Sequence, residues 1–137
     1  MDVVNHVYPT GSRVEALMAD ASGRPVVMLN LLKFRPKAAY HDGRTSDLTG
    51  RQAYDLYAAA MQEVIEESGG RVLFGGDVAS LVIGEVDDIW DSCVLVEYPS
   101  AAAFAAIVTS PAVTEIGVHR AAGLEGQLLI RLTRWPR

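Results

Sequence analysis

One segment constrains the fold of this chain more than any other. Residues 25–34, PVVMLNLLKF, carry apolar side chains in both alternating registers, and Asn30 and Lys33 are the two exceptions. Successive side chains of a β-strand point to opposite faces, so a strand of this composition is typical of a sheet that is covered on both sides. The fold must therefore bury both faces of this strand.

Hydrophobic periodicity and turn residues divide the rest of the chain into elements. Apolar side chains at helical spacing predict a short helix over 12–20, with a capping box formed by Ser12 and Glu15, and a long helix over 50–68. Ser100 and Pro111 each open a further helical piece. Further strands are predicted over residues 71–83, with a bulge at Gly75 and Gly76, and over residues 90–98 and 124–132.

The order of these elements is β-α-β-β-α-β after an extra N-terminal helix, which predicts an α+β fold of the ferredoxin-like, split βαβ kind. We expect residues 1–24 to form an N-terminal extension and residues 25–137 to form the domain. Two crossover helices cover one face of a four-stranded antiparallel sheet, and the other face remains apolar. Because an apolar face of that size is unfavourable in water, we expect a homodimer.

Length, charge and cysteine content exclude several classes. A chain of 137 residues with half of them hydrophobic suits one globular domain. The net charge of −5 and the scattered basic residues argue against a nucleic-acid partner. The lone Cys93 cannot form an internal disulfide, and the sequence shows neither a signal peptide nor an apolar run of about 18 residues. We therefore expect a cytoplasmic protein that does not enter a membrane.

Five segments carry a resemblance to a known family: MLNLLKF (28–34), AYDLY (53–57), ESGGRVLFGG (67–76), WDSCVLVEYPS (90–100) and HRAAGLEGQLLI (119–130). They resemble the uncharacterised DUF1330 proteins, and the resemblance extends over most of the chain from Pro25 onward. It implies a dimeric α/β-barrel and no established reaction. The wider superfamily is similar in fold to cofactor-free monooxygenases, haem-degrading enzymes, lactone isomerases and polyketide cyclases, but fold does not fix function.

Two residues are candidates for catalysis. Asn30 shares a strand face with apolar residues, where its amide either orients a ligand or ties down the long loop that follows the strand. His119 is an acid–base candidate near neutral pH, and Glu115 one turn earlier would orient it. The structural alternative for this pair is an exposed Glu–His contact on a helix surface.

The candidates for substrate binding are one arginine and four aromatic residues. Arg120 offers a fork that suits a planar anion, but it can equally cap its helix or pair with Asp91 or Glu97. The aromatic candidates each have a structural alternative as core, rim or solvated turn. They are Trp90 and Tyr98 at the ends of a strand, Tyr54 at the edge of the long helix, and Tyr40, which with His41 could form a lid in the loop over 35–50.

Several motifs are absent from the sequence: a phosphate-binding glycine loop, a nucleophile elbow, and His or Cys at metal-ligand spacing. Two hypotheses from different classes remain. The first is a cofactor-free enzyme that acts by acid–base chemistry, as an isomerase, a cyclase or a monooxygenase-like protein, on a small, partly apolar carbonyl or phenolic molecule. The second is a dimer that binds a small molecule, or serves a structural purpose, without turning a substrate over.

Overall fold

The strands form one antiparallel sheet in the computed structural model of this chain, which describes residues 2–136. In chain order they are β1 (Val26–Phe34), β2 (Arg71–Asp77), β3 (Ser92–Tyr98) and β4 (Leu124–Leu132). Their order across the sheet is β2-β3-β1-β4, so β1 and β3 occupy the centre. This order, with helices following β1 and β3, confirms the predicted ferredoxin-like α+β fold.

The four helices are α1 (Gly11–Met18), α2 (Gly50–Glu67), α3 (Ala101–Val108) and α4 (Pro111–Gly123). Each begins after a hydroxyl side chain that accepts a backbone hydrogen bond, as expected for a good N-cap. The four caps are Thr10, Thr49, Ser100 and Ser110. Within the described residues no single helix is long and apolar enough to cross a membrane. The pair α3 and α4 passes that test only when both are counted together, and the two bend by 73° at their junction.

The start of α1 differs from the prediction. The helix begins at Gly11, and the Thr10 hydroxyl accepts the bond from the backbone of Arg13. The predicted capping box of Ser12 and Glu15 is therefore wrong, because Ser12 already lies inside the first turn.

The boundaries of the two strands on the β2 side also differ from the prediction. β2 ends at Asp77, which pairs with Ser92 where β3 begins, so neither strand reaches the predicted positions 83 and 90. One further backbone bond joins the Val78 amide to the Asp91 carbonyl at 2.9 Å, and the residues between these two form a loop. The register shift lies between Val72 and Phe74, and the predicted bulge at the two following glycines is wrong.

The two faces of the sheet have different surroundings. The helices pack on the face that carries Val26, Met28, Leu32 and Val96, all of which are buried, and we call this the covered face. The opposite, open face is apolar at its centre and carries charged residues at its ends, namely Lys33, Glu97 and Arg71. Its apolar side chains, none of them buried, are Val27, Leu29 and Leu31 of β1, Phe74 of β2, Cys93 and Leu95 of β3, and Leu128, Ile130 and Leu132 of β4.

A close backbone approach fixes the long loop between β1 and α2. A Cβ atom on Gly50 would lie 2.1 Å from the carbonyl oxygen of Arg35 and 2.7 Å from that of Gly123, so only glycine fits. The Arg35 amide donates to the Gly123 carbonyl at 2.8 Å, and the Ala39 amide donates to the Ala122 carbonyl at 2.9 Å. The loop is thus held against the C-terminal end of α4.

The N-terminal segment lies against the free edge of the sheet. His6 forms an isolated antiparallel bridge with Gln127 of β4, and its carbonyl accepts from the Gln127 amide at 3.1 Å. The Asn5 side chain lies over Gly126, where a Cβ atom would come within 2.3 Å of it. This attachment places Tyr8 beside α4, which the sequence did not predict.

Candidate functional site

Three polar side chains form a hydrogen-bonded array on the covered face. Asn30 is half-buried in β1, and its Nδ2 donates to the Val94 carbonyl at 3.2 Å. Its Oδ1 accepts from Gln127 Nε2 at 2.8 Å, and Gln127 Oε1 accepts from Arg120 Nη1 at 3.0 Å. The Asn30–Gln127–Arg120 array therefore connects β3, β1, β4 and α4, and it leaves the guanidinium at one end.

The Arg120 guanidinium lies between two aromatic rings. Its central carbon is 5.3 Å from the centroid of Tyr8 and 5.9 Å from that of Tyr57, within the range of cation–π attraction. Among residues 2–136 no carboxylate forms an ion pair with it. The predicted alternative of a pair with Asp91 or Glu97 is wrong, because the former contacts Lys33 and the latter contacts Arg71 and Arg134.

Two tyrosines of α2 form the wall next to this arginine. Burial raises the pKa of the Tyr54 phenol well above its usual value of 10.0, and burial likewise raises the pKa of Tyr57. The charge of Arg120 lowers the pKa of both and partly offsets the burial. The rings of Tyr54 and Tyr57 lie 5.6 Å apart. Both phenols are therefore neutral hydrogen-bond donors near physiological pH. Tyr54 is the more deeply buried of the two, whereas the sequence had placed it at the helix edge.

His119 lies in different surroundings from Asn30. Its Nδ1 is 2.7 Å from the Tyr40 hydroxyl, and the two rings meet edge-on at 5.5 Å. Arg44 stacks on Tyr40 at 4.6 Å. In the described part of the chain Glu115 forms no ion pair with His119, so the expected orienting role belongs to Tyr40. His119 thus joins α4 to the long loop.

Trp90 lies apart from both Asn30 and His119, in a cleft of about 630 Å³ that Lys33 also lines. Lys33 points to the open face, and its Nζ donates to Asp88 Oδ1 at 2.8 Å and to the Ile89 carbonyl at 2.9 Å. The hydrogen bond that this amine donates to Asp88 raises its pKa. The lysine is therefore paired, with 20% of its side chain exposed, rather than free in solvent. Trp90, Asn30 and His119 lie in three separate surroundings.

Tyr98 packs in the core of the covered face. Its ring meets that of Phe104 edge-on at 4.8 Å, and burial raises the pKa of its phenol. The structure therefore places Tyr98 as a packing residue beside the array rather than within it.

Three residues of the site were missed by sequence reasoning, namely Tyr57, Gln127 and Tyr8. Gln127 follows the alternation of β4 onto the same face as Leu129, so a polar residue in that register was a usable signal. Tyr8 gave no signal, because the N-terminal segment lacks the periodicity of an element. No group of three His, Cys, Asp or Glu residues in the chain from residue 2 to 136 is arranged to hold a metal ion.

Comparison with known proteins gives a family but no activity. The model of the domain of unknown function DUF1330 matches residues 38–131. No curated protein matches the chain. The crystal structure of RPA0582 from Rhodopseudomonas palustris, a protein of unknown function, is 36% identical, with coverage of 98% of this chain and 100% of that one and a TM-score of 0.86. The methylated RPA0582 structure is 37% identical, with coverage of 98% of each chain and the same TM-score.

A more distant structure supports the fold alone. At3g17210 from Arabidopsis thaliana is 18% identical, with coverage of 82% of this chain and 97% of that one and a TM-score of 0.53. The family match, by contrast, spans more than half of the chain, and RPA0582 matches it almost from end to end. This chain is a member of the DUF1330 family.

Proposed function

We propose that this protein binds a small, partly apolar organic anion at the Asn30–Gln127–Arg120 array and acts on it by acid–base chemistry without a cofactor. One observation carries the proposal. Arg120 is a half-buried cation that has an amide and two aromatic rings as neighbours and no carboxylate partner among the described residues. Positive charge that the protein itself does not neutralise is well placed to hold an anion.

The chemistry of the site suits a planar oxyanion. A guanidinium presents several donors in a fixed fork, which matches a carboxylate, a phenolate or an enolate. The rings of Tyr8 and Tyr57 offer apolar contact to the body of such a molecule. If the anion is an enolate or a phenolate, Arg120 stabilises the product of deprotonation and makes the parent compound more acidic. Isomerisation, cyclisation and oxygenation of an activated carbon all begin with that step.

Proton transfer is assigned in this proposal to His119, and orientation of the reacting oxygen to Asn30. The Nδ1 atom of His119 is occupied by Tyr40, which fixes the ring, while Nε2 has no protein partner within residues 2–136. A histidine held in this way can exchange a proton at its free nitrogen. The proposal therefore requires a ligand bound at Arg120 to reach the free Nε2 of His119, the preceding residue of α4, while Tyr40 of the long loop holds the ring.

A second candidate function is binding without turnover. Its specific support is the placement of His119, because no described contact joins this histidine to the Asn30–Gln127–Arg120 array. In that case the array would hold a small molecule, and His119 would only fasten the loop to α4.

We also infer that two copies pair through the open face. A continuous row across all four strands is formed by Phe74, Leu95, Leu29 and Ile130, and Phe74 is 58% exposed. Covering such a row with the same row of a second copy would remove a large apolar surface from water. The two sheets would then stack face to face, as in a barrel with a shared interior.

Phenylpyruvate is a suitable probe of the proposed site, since it combines a carboxylate, an enolisable carbon and an apolar ring. Calorimetry should show that Arg120→Gln weakens its binding by about ten- to a hundredfold, the effect of losing a charged hydrogen-bond partner. Arg13→Gln removes an exposed arginine from α1 and serves as the matched control with unchanged affinity. Equal affinity of both variants would exclude Arg120 as the anion site.

The rate of phenylpyruvate tautomerisation, followed by absorbance, separates the two candidate functions. The enzyme proposal expects the protein to accelerate the reaction and expects His119→Gln to abolish the acceleration while the ligand still binds. If the unmodified protein binds phenylpyruvate and leaves the rate unchanged, the binder is the correct alternative.

A further inference from the structure

A cavity that Tyr8 helps to line lies at the edge of the sheet. Its volume is about 290 Å³, and the N-terminal segment, the end of β1, the long loop and the start of β4 form its walls. The residues that define its chemistry are Arg35, His6, His41, Asn5 and Glu125, with Tyr8 as the aromatic wall.

Like Arg120, Arg35 has a guanidinium without a carboxylate partner within residues 2–136. Its Nε atom is buried and has no hydrogen-bond partner among the described residues, and Glu125, although it lines the same cavity, forms no ion pair with it. A buried donor left unsatisfied costs about 1–3 kcal/mol, and more when it belongs to a charged group. The backbone of Arg35 is fixed at both ends, by the Gly123 carbonyl at 2.8 Å and the Gly50 amide at 3.1 Å. Its side chain therefore starts from a rigid point at the cavity wall.

The other polar groups of the cavity also favour an anion. His6 and His41 offer ring N–H donors and Asn5 offers an amide, whereas Glu125 is the one acidic group in the cavity wall. Donors in this excess over carboxylates suit an oxyanion, such as a carboxylate or a phosphate. They do not suit a cation.

Tyr8 connects this cavity to the proposed anion site. Its ring lies 5.3 Å from the Arg120 guanidinium and also lines the cavity of Arg35. We propose that the ligand of this protein carries two anionic groups, one held by Arg120 and the other by Arg35, with an apolar body that lies along Tyr8. This inference rests on the proposed function at Arg120 and names the class of ligand as a small organic dianion.

The test compares phenylpyruvate with its 3-carboxy and 4-carboxy derivatives, which differ from it by one added carboxylate. Calorimetry should show that at least one derivative binds about tenfold tighter or more. In Arg35→Gln the affinity of that derivative should fall to about the affinity of phenylpyruvate, so that their ratio is about one. Arg120→Gln should instead weaken the binding of all three compounds. Lys37→Gln, which removes an exposed cation from the same loop, should keep the ratio of the unmodified protein.

A second variant, expected to raise rather than lower the affinity, keeps the inference testable if the Arg35 variant does not fold. Glu125 is exposed, so Glu125→Gln should fold normally and should raise the affinity of the carboxylated derivative by a fewfold, because a repelling charge is lost. If phenylpyruvate binds and neither derivative binds more tightly, the dianion inference is overturned while the proposed function stands. If the derivative's advantage survives Arg35→Gln, the second anion lies elsewhere and the inference also fails. If none of the three compounds binds, both proposals fail.

Discussion

The two faces of the central strand β1 are nearly equal in sequence and very different in the folded chain. On the covered face Met28 is 2% exposed and Leu32 is fully buried, whereas Leu29 and Leu31 on the open face are only half-buried. The helices of one chain are enough to cover one side of a four-stranded sheet and no more. The chain's own helices account for the apolar residues of one register, and the second copy that we propose accounts for those of the other.

The two polar residues of β1, Asn30 and Lys33, also differ according to the face on which they lie. Asn30 on the covered face is satisfied by a strand carbonyl and by Gln127, and through Gln127 it reaches Arg120. Lys33 on the open face is satisfied by the carboxylate of Asp88 on a loop. An amide inside the domain is part of a fixed network, while the amine at the sheet end is neutralised locally. Only the first leaves a charge available to a ligand.

The largest effect is expected from truncation on the covered face. Leu32→Ala should lower the free energy of unfolding by about 2–5 kcal/mol, because a fully buried leucine leaves a cavity. Leu31→Ala, the neighbouring residue on the open face, is the matched control and should cost clearly less in dilute protein. Urea unfolding at two protein concentrations measures both. Equal losses at the lower concentration would show that the two faces are covered alike within one chain.

A charge introduced on the open face should have a smaller effect, which should appear in the dimer dissociation constant. Leu29 lies at the middle of the apolar row, paired with Leu95 on one side and Ile130 on the other. Leu29→Glu should raise the dimer dissociation constant by about a hundredfold or more, because it places an unpaired charge inside the interface. Light scattering across a concentration series measures this change.

Leu56→Glu is the control for that experiment. Leu56 is 50% exposed on α2, on the opposite side of the sheet from the open face. This variant should keep the assembly of the unmodified protein. A monomer at every concentration for the unmodified protein, or dissociation by both variants, would remove the open face as the dimer interface.

The fold was predictable because its signals are local and agree with one another. The apolar run over 25–34 predicted β1, and helical spacing predicted α2, so the element order was sufficient for the topology. The errors lie where pairing, rather than propensity, sets a boundary. Residues 78–83 have the composition of a strand, but β3 begins at Ser92, and β2 cannot extend past its partner.

The site was predictable only in part, because it depends on contacts between distant segments. Asn30 and Arg120 were identified from residue type, and the structure joins them through Gln127, 97 residues from Asn30. The candidates Trp90 and His119 do not share the surroundings of Asn30, for a geometric reason. Trp90 follows a loop toward the side of Lys33, and His119 is one residue, and so about 100° around the helix, from the arginine that faces the sheet.

The buried tyrosines of the covered face should have the smallest effect on stability at neutral pH. Their ionisation at alkaline pH tests the covered face directly. Burial raises the pKa of Tyr54, Tyr57 and Tyr98, so the folded state keeps these phenols protonated when the unfolded chain has lost the protons. Their contribution is fully present below about pH 10 and is lost as the pH rises from there through the folded values. Alkaline titration, with phenolate absorbance and circular dichroism followed together, should therefore show three of the five tyrosines ionising only as the protein unfolds.

Two variants assign that late step to the site. Tyr54→Phe should reduce it by one tyrosine, whereas Tyr8→Phe, which changes a ring that is 62% exposed, should leave it intact. Arg120→Gln should keep three tyrosines in the late step, since loss of the arginine charge raises the folded-state pKa of Tyr54 and Tyr57 further. If Tyr54 and Tyr57 ionised before unfolding in this variant, burial would not be what keeps these two phenols protonated in the folded chain.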